Sequence, residues 1–528
     1  MVLISIAIVI LALIGLPLFA LFGGAALALF LSLPEGAWAS PAIDVFSANF
    51  AESPSLMTIP LFTFAGFMLA EAKTPIRLIN LSRAWFGWMP GGLAIVCLMV
   101  STFFATFTGG SGVTIVAVGG LLYPALIKER YPDDFSIGLI TTAGAMGGLF
   151  PPSVLLIFYG IVAGLNIDKV LLSGIMAGWL STFALGAYCA YIAIKANIPR
   201  QKFVLSQALR TLWIAKWEIA IPIVLLGGFG TGILRFHEAA AFTAVYVLII
   251  EVFVYRDISI RKDLPRVIVD SMTLLGAVLA ILITAVGFTG WMVQAEVPTI
   301  LFDFMDEHIK SKVSFLLALN LFLVFVGMFT DGVTAILLVV PLILPLGYAY
   351  NVDPYHLCVI FLLNLEMGFL IPPVGMNLFI SSIRFGKPVG YVCRTVIPYL
   401  VILTVVLGMV TYIPWLSTYL PSFVKTQEEG VSLGGGYVRL NEDTPDGGLM
   451  MPPEDNDLMN ELMGGDDEDA AVDGGVDGGD AADGGSAAAP AAADDKAAEA
   501  APAAAPKKAT AKKKASAAKK KAKKTADD

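Results

Sequence analysis

Residues 147–152 read Gly-Gly-Leu-Phe-Pro-Pro, and residues 368–373, 221 positions on, read Gly-Phe-Leu-Ile-Pro-Pro. Each motif stands inside a long apolar run. Proline removes a helical hydrogen bond, its ring clashes with the preceding turn, and the residue before it leaves the α region. Two prolines in succession therefore unwind a helix, here at Pro151-Pro152 and at Pro372-Pro373. Working outward, Phe107-Thr108-Gly109-Gly110 has a counterpart in Phe329-Thr330-Asp331-Gly332 at an offset of 222, and Pro124 answers to Pro345 at 221. The linker Tyr131-Pro132-Asp133 answers to Asn351-Val352-Asp353-Pro354. A polar, glycine-bearing tip followed by a doubly broken segment, twice at one offset, defines an internal repeat.

The apolar runs say where the repeat resides. Hydrophobic residues make up 57% of the 528 and charged residues 15%, against about 25% charged in a soluble domain. Residues 2–33, 56–72, 91–127, 170–194, 274–293, 315–329 and 389–420 are nearly free of charge. About 20 apolar residues cross a bilayer as a helix, because every backbone polar group must be bonded internally there. An all-α polytopic membrane protein follows. The first run lacks a basic n-region and is not expected to be a cleaved signal. Cys97, Cys189, Cys358 and Cys393 are scattered in apolar context and read as small buried hydrophobes. The formal charge of −9 resides in the last hundred residues, leaving 21 of each sign in residues 1–424. That tail, 425–528, passes from Gly/acidic to Ala/Lys composition and is expected to be disordered and dispensable. A solvated tail is favoured over a nucleic-acid role for its lysines.

Each half reads alike. A run with a polar tip (91–127, 313–350) is either two spans or one re-entrant hairpin. A segment broken by Pro-Pro follows (135–163, 355–383). Unwound backbone at membrane depth persists only where protein buries it or it lines a cavity. Paired interrupted segments in corresponding positions point to a transporter's midplane site. The basic loops around Lys195–Lys216 and Arg256–Arg266, with spans at 217–234 and 238–255 between them, lie inside by the positive-inside rule. With re-entrant hairpins the remaining loops agree, and the two halves are inverted. Residues 73–90 and 294–311 are amphipathic and too polar to span, so they are expected in the interface. The boundaries are then 1–90, 91–194, 195–312, 313–424 and the tail. Repeat matching also asks for two short passes in 2–33, turning near Gly15–Pro17, with one tilted helix as the rival.

The tips and breaks carry the chemistry. The tip Thr108-Gly109-Gly110-Ser111 offers two hydroxyls one helical turn apart in spacing, and Thr330 and Asp331 occupy the second tip. Carbonyls freed at Gly147–Pro152 and Gly368–Pro373 cannot bond to proline, which has no N–H. Mostly neutral oxygen ligation suits a hard monovalent cation such as Na⁺. The half-helices after each break present free N–H groups, beginning near Ser153 and near Gly375 and Asn377, and favour an anionic substrate group. Thr108 and Ser111 have helix packing as the competing reading. A carboxylate in an apolar run is costly, which singles out Asp331, with a hairpin tip reaching water as its alternative. Asn364 and Glu366 precede the second break and serve either a site or an interhelical polar clasp.

Gly-Phe-Leu-Ile-Pro-Pro-Val-Gly-Met-Asn-Leu-Phe (368–379) resembles the signature of the large membrane subunit of tripartite ATP-independent periplasmic (TRAP) transporters. So do Asn364-Leu-Glu-Met-Gly368, Trp88-Met-Pro-Gly-Gly92, Pro151-Pro-Ser153 and Tyr159-Gly-Ile-Val-Ala-Gly164. The resemblance covers residues 1–424. It implies an inner-membrane elevator transporter with two hairpins, 1–90 and 195–312 being scaffold and 91–194 and 313–424 the transport domain. It further implies Na⁺ as coupling ion without other cofactor, a small four-helix membrane partner, and a periplasmic binding protein delivering a small organic acid. Carried over by motif, one Na⁺ site takes Thr108, Ser111, Gly147, Phe150 and Pro152, and the other Gly332, Gly368 and Ile371. The family usually has Thr where Ile371 stands, so a hydroxyl ligand is missing, and Thr-Gly-Gly-Ser is not its commonest first tip. The rival reading is a stand-alone sodium–dicarboxylate symporter. No nucleophile–base or metal constellation is spaced for an enzyme.

Overall fold

The structure, a computed structural model, describes residues 11, 16–30, 56–200, 202–231, 235–295 and 297–423. The expected first pass and the tail lie outside the described residues. Of the Gly15–Pro17 turn, Leu16 and Pro17 are described, and a helix begins just beyond them.

The described residues are helical, with no strand among them. In chain order they form α1 (Leu18–Phe30), α2 (Thr58–Glu71), α3 (Thr74–Phe86), α4 (Gly92–Thr108), α5 (Ser111–Lys128) and α6 (Asp133–Ala143). A 3₁₀ turn, Met146–Leu149, precedes α7 (Val154–Val162), α8 (Ile167–Lys195), α9 (Leu205–Ile214), α10 (Lys216–Thr231) and α11 (Phe236–Ile249). A π turn (Ile250–Val254) continues α11; then come α12 (Asp263–Gln294), α13 (Val297–His308), α14 (Lys312–Phe329) and α15 (Gly332–Ala349). α16 (Pro354–Gly368), α17 (Met376–Phe385), α18 (Val389–Tyr412) and α19 (Trp415–Thr418) complete the described part. By length and composition seven of these helices are fit to cross a membrane, or eight if the bent pair flanking Pro151-Pro152 counts as one span.

The repeat is visible in the packing. The helices of each tip-bearing run, α4–α5 and α14–α15, are joined by Gly109-Gly110 and by Thr330-Asp331. Each broken segment splits where the double proline predicts, with a 42° bend across the first. In the first half α4 lies on α6 and its 3₁₀ turn; in the second α14 lies on α16. The halves then exchange partners: α5 packs on α17, and α15 packs on α7. Likewise α18 packs on α6, and α8 packs on α16. The buried core runs through these helices, with Tyr159, Phe104, Phe158 and Phe361 among its fully enclosed side chains. Cys97, Cys189 and Cys358 are buried free thiols and Cys393 is half-buried.

Outside this group α2 packs on α11 and α12, and α1 on α12. The amphipathic helix α3 is fastened to them by a cluster of charges. Arg77 bonds to Glu218 of α10, to Glu251 of the π turn at 2.9 Å, and to Asp257. Its guanidinium carbon stands 3.8 Å from the centre of the Tyr255 ring, and Thr74 donates to Glu251 at 2.6 Å. Both glutamates are 1% exposed. Burial alone lowers the Arg77 pKa, but the carboxylates outweigh it and raise it above the ordinary arginine value. Buried carboxylates persist when a geometrically matched cation neutralises them.

Candidate functional site

Both breaks press against the tip-bearing helix of their own half. A Cβ added to Gly147 lies 2.4 Å from Ala105 Cβ and from Thr106 N. A Cβ added to Gly368 lies 2.6 Å from Gly327 Cα. Ala105 and Gly327 are themselves separated by the repeat offset of 222. The glycine before each break is thus a contact between backbones, which only a residue without a side chain permits. Pro151-Pro152 and Pro372-Pro373 are both joined by cis bonds.

Beyond the glycines, the carbonyls differ in what they have left to offer. Gly147 O accepts from Phe150 N at 3.3 Å and from Thr106 Oγ1 at 3.3 Å; Phe150 O accepts from Ser153 N at 2.9 Å; Gly368 O accepts from Ile371 N at 3.1 Å. Phe150 O and Gly368 O each keep one lone pair, while Gly147 O already accepts two bonds. Among the described residues no backbone donor bonds to the carbonyls of Pro152 or Ile371. The carbonyls of Pro151, Pro372 and Pro373 likewise receive no backbone donor among the described residues, so each break offers several open oxygens.

The tips are not equivalent. Thr108 is buried and reaches Gly110 O at 3.4 Å and Thr114 Oγ1 at 3.3 Å. Gly109 turns the chain with φ +63° beside Val154. Ser111 Oγ donates to Asn377 Oδ1 at 2.5 Å, which joins the first tip to the half-helix beyond the second break. In the other half the place is apolar: a Cβ added to Gly332 meets Leu155 Cδ2 at 2.8 Å. Thr330 Oγ1 donates to Val326 O at 2.9 Å. Asp331 is the N-cap of α15, accepting from Val333 N and Thr334 N at 3.2 Å each and from Thr334 Oγ1.

The half-helix N-termini also differ. Ser153 caps α7 through Leu155 N at 3.2 Å. The N-cap of α17 is Gly375, with φ +24° and no side-chain cap; its N–H donates to Met328 O at 3.2 Å. Asn377 follows, fully buried, and its Nδ2 has no hydrogen-bond partner among the described residues. A buried donor without an acceptor is costly.

Of the remaining expected residues, Asn364 is the clasp. Its Nδ2 donates to Asn320 Oδ1 at 2.7 Å, and Asn320 Nδ2 donates to Thr411 Oγ1 at 3.1 Å, linking α16, α14 and α18. Glu366 is 1% exposed and reaches across to the first break, where its Oε1 lies 2.7 Å from the position of a Gly148 Cβ. Asn320 was not anticipated; an amide in the apolar run 313–350 was its only signal. A further bond between halves, Thr141 Oγ1 to Ser381 Oγ at 2.8 Å, joins two residues that are 0% exposed. No spacing signal announces it.

Two repeats of a tip and a broken helix, interleaved in a bundle of apolar helices, define a membrane transport protein rather than an enzyme. Residues 5–416 match the family described as "Tripartite ATP-independent periplasmic transporter, DctM component". The chain belongs to that family, as its large permease subunit, a multi-pass protein of the inner membrane.

It is 32% identical over 386 residues to the C4-dicarboxylate TRAP transporter large permease protein DctM of Pseudomonas aeruginosa, covering 73% of this chain and 90% of that one. It is 34% identical to the isethionate TRAP transporter permease protein DctMQ of Oleidesulfovibrio alaskensis, covering 69% of this chain and 57% of that one. It is 30% identical to the sialic acid TRAP transporter large permease protein SiaM of Vibrio cholerae, covering 70% and 86%. In fold it is similar to the YdaH transporter of Alcanivorax borkumensis, with a TM-score of 0.53, 12% identity, and 76% of this chain and 98% of that one covered.

Proposed function

We propose that this subunit imports a small organic anion, handed over by a periplasmic binding protein, in symport with Na⁺. The observation that carries the anion is Asn377. It is a buried amide with an unbonded Nδ2, one residue inside the uncapped N-terminus of α17. Helix N-termini and amide donors both favour an oxyanion. The relatives named for C4-dicarboxylate, isethionate and sialic acid share that chemistry, a carboxylate or sulfonate. Ser111 holds the amide so that its oxygen is occupied and its donor is left over.

The cation reading rests on the carbonyls of Pro152 and Ile371, which no backbone donor reaches, together with the remaining lone pairs of Phe150 and Gly368 and the hydroxyls of Thr108 and Ser111; Gly147 would have to exchange one of its two bonds to join them. With no hydroxyl at position 371, the second site has fewer side-chain oxygens than the first. In this reading the helices of 91–194 and 313–424 move together as the transport domain. The elements pinned through Arg77 stay fixed, and the two tip-bearing runs are re-entrant hairpins.

A small four-helix membrane subunit completes the complex. That assignment draws on the isethionate relative, whose name joins M to Q and of which this chain covers 57%. The test is reconstitution. Uptake of the anion that the cognate binding protein selects in a thermal-shift screen should require that binding protein and the small subunit. Uptake by this chain alone would favour a stand-alone symporter.

A further inference from the structure

α9 carries an exposed surface apart from the tips and breaks. Leu205, Leu209 and Trp213 follow at four-residue spacing, so they form one line along the helix. They are 60%, 52% and 71% exposed. Ala208, on the neighbouring line, is fully buried, and its carbonyl accepts a hydrogen bond from Trp85 Nε1 of α3 at 3.2 Å. One edge of α9 is therefore fastened to the protein, while the apolar line beside it is open. Trp85, Trp88 and Phe203 continue this surface and, with Phe86 and Met89, line an open groove of about 540 Å³.

Charge identifies what the surface meets. From Lys195 to Trp217 the chain has five cations, Lys195, Arg200, Lys202, Arg210 and Lys216, and no acidic residue. Among the described residues none of the five is in an ion pair. The Lys216 ammonium stands 3.7 Å from the centre of the exposed Trp213 ring. An apolar line flanked by cations and indoles is the pattern of a helix lying in the headgroup region, where cations are drawn to anionic lipid. A water-exposed loop has no use for the apolar line, and an apolar protein partner has no use for five unpaired cations.

We propose that α9, with Trp85 and Trp88, is an in-plane anchor that binds anionic phospholipid headgroups at the cytoplasmic face. The full chain, reconstituted in nanodiscs, tests this by quenching of tryptophan fluorescence with brominated acyl chains. Brominated phosphatidylglycerol is compared with brominated phosphatidylcholine, and the Trp213 signal is isolated by subtracting the Trp213→Phe variant. The expected result is Trp213 quenching by both lipids, stronger by about twofold or more with phosphatidylglycerol. A Lys202→Gln/Arg210→Gln/Lys216→Gln variant, altered only at cations outside the buried core, should keep the quenching and lose the preference. Absence of Trp213 quenching by either lipid would mean that a protein or water covers α9, and would overturn the proposal. Equal quenching by the two lipids in the unaltered chain would overturn the headgroup assignment.

Discussion

Ser111 Oγ lies 2.5 Å from Asn377 Oδ1, across 266 residues of chain and between the two halves of the repeat. The bond sets the amide so that its nitrogen, not its oxygen, is available. Asn377→Ala removes the proposed anion donor and should lower uptake at least about tenfold, or ~1.4 kcal/mol. Ser111→Ala should produce part of that loss, and the double variant should lose less than the sum, because contacting residues couple. Strict additivity would separate the two residues functionally.

Asp331 gains a structural explanation for its carboxylate. It accepts three hydrogen bonds from the first turn of α15, two of them from backbone N–H groups. These donors offset the cost of a carboxylate in an apolar run without a bound cation. Asn caps a helix about as well as Asp. Asp331→Asn should therefore retain uptake within about twofold, and Asp331→Ala should lose ~1 kcal/mol of stability. A tenfold loss in the Asn variant at matched membrane abundance would restore a cation-binding role.

Arg77 neutralises three carboxylates, so its removal leaves buried charge behind. Arg77→Ala should destabilise by roughly 3–5 kcal/mol, the range for breaking a buried pair. Denaturant unfolding in detergent measures it. The pH dependence follows from Asp257, outside the spans. Burial pushes its carboxyl up, but Arg77 and Lys73 outweigh burial and hold it below the ordinary value. A depressed folded pKa contributes stability that is present above the unfolded value, about 3.9, and is lost as pH falls through the folded one. The acid loss of stability should therefore begin below about pH 4 and shrink in Asp257→Asn.

Gly368→Ala places a methyl 2.6 Å from Gly327 Cα, and Gly147→Ala places one 2.4 Å from Ala105 Cβ. Overpacking costs about 1–3 kcal/mol, and both variants should fall in that range. Retention of full stability in either would show that the break can withdraw from its partner helix.

The repeat was legible because its offset is written in residues with strong backbone consequences, the prolines and glycines of the tips and breaks. The exchange of partners between halves was not: Ser111–Asn377 and Thr141–Ser381 are side-chain meetings with no local pattern. The cap at Asp331 has a readable signal, Asp at the start of a helix-forming run with Thr334 three residues on, but a charge in an apolar run is equally the mark of a site. The Arg77 cluster was hidden because each member sits at the end of a different run, where a charge reads as a boundary marker. The 195–216 loop was read from its cations alone, which concealed the apolar line of α9.

The central claim is that a cation at the two breaks drives an organic anion past Asn377. The measurement is uptake of the selected anion into proteoliposomes containing the complete complex, with an inward gradient of Na⁺, of K⁺, or of protons. The account predicts accumulation with Na⁺ several-fold above the other two. Equal initial rates under all three gradients would contradict it.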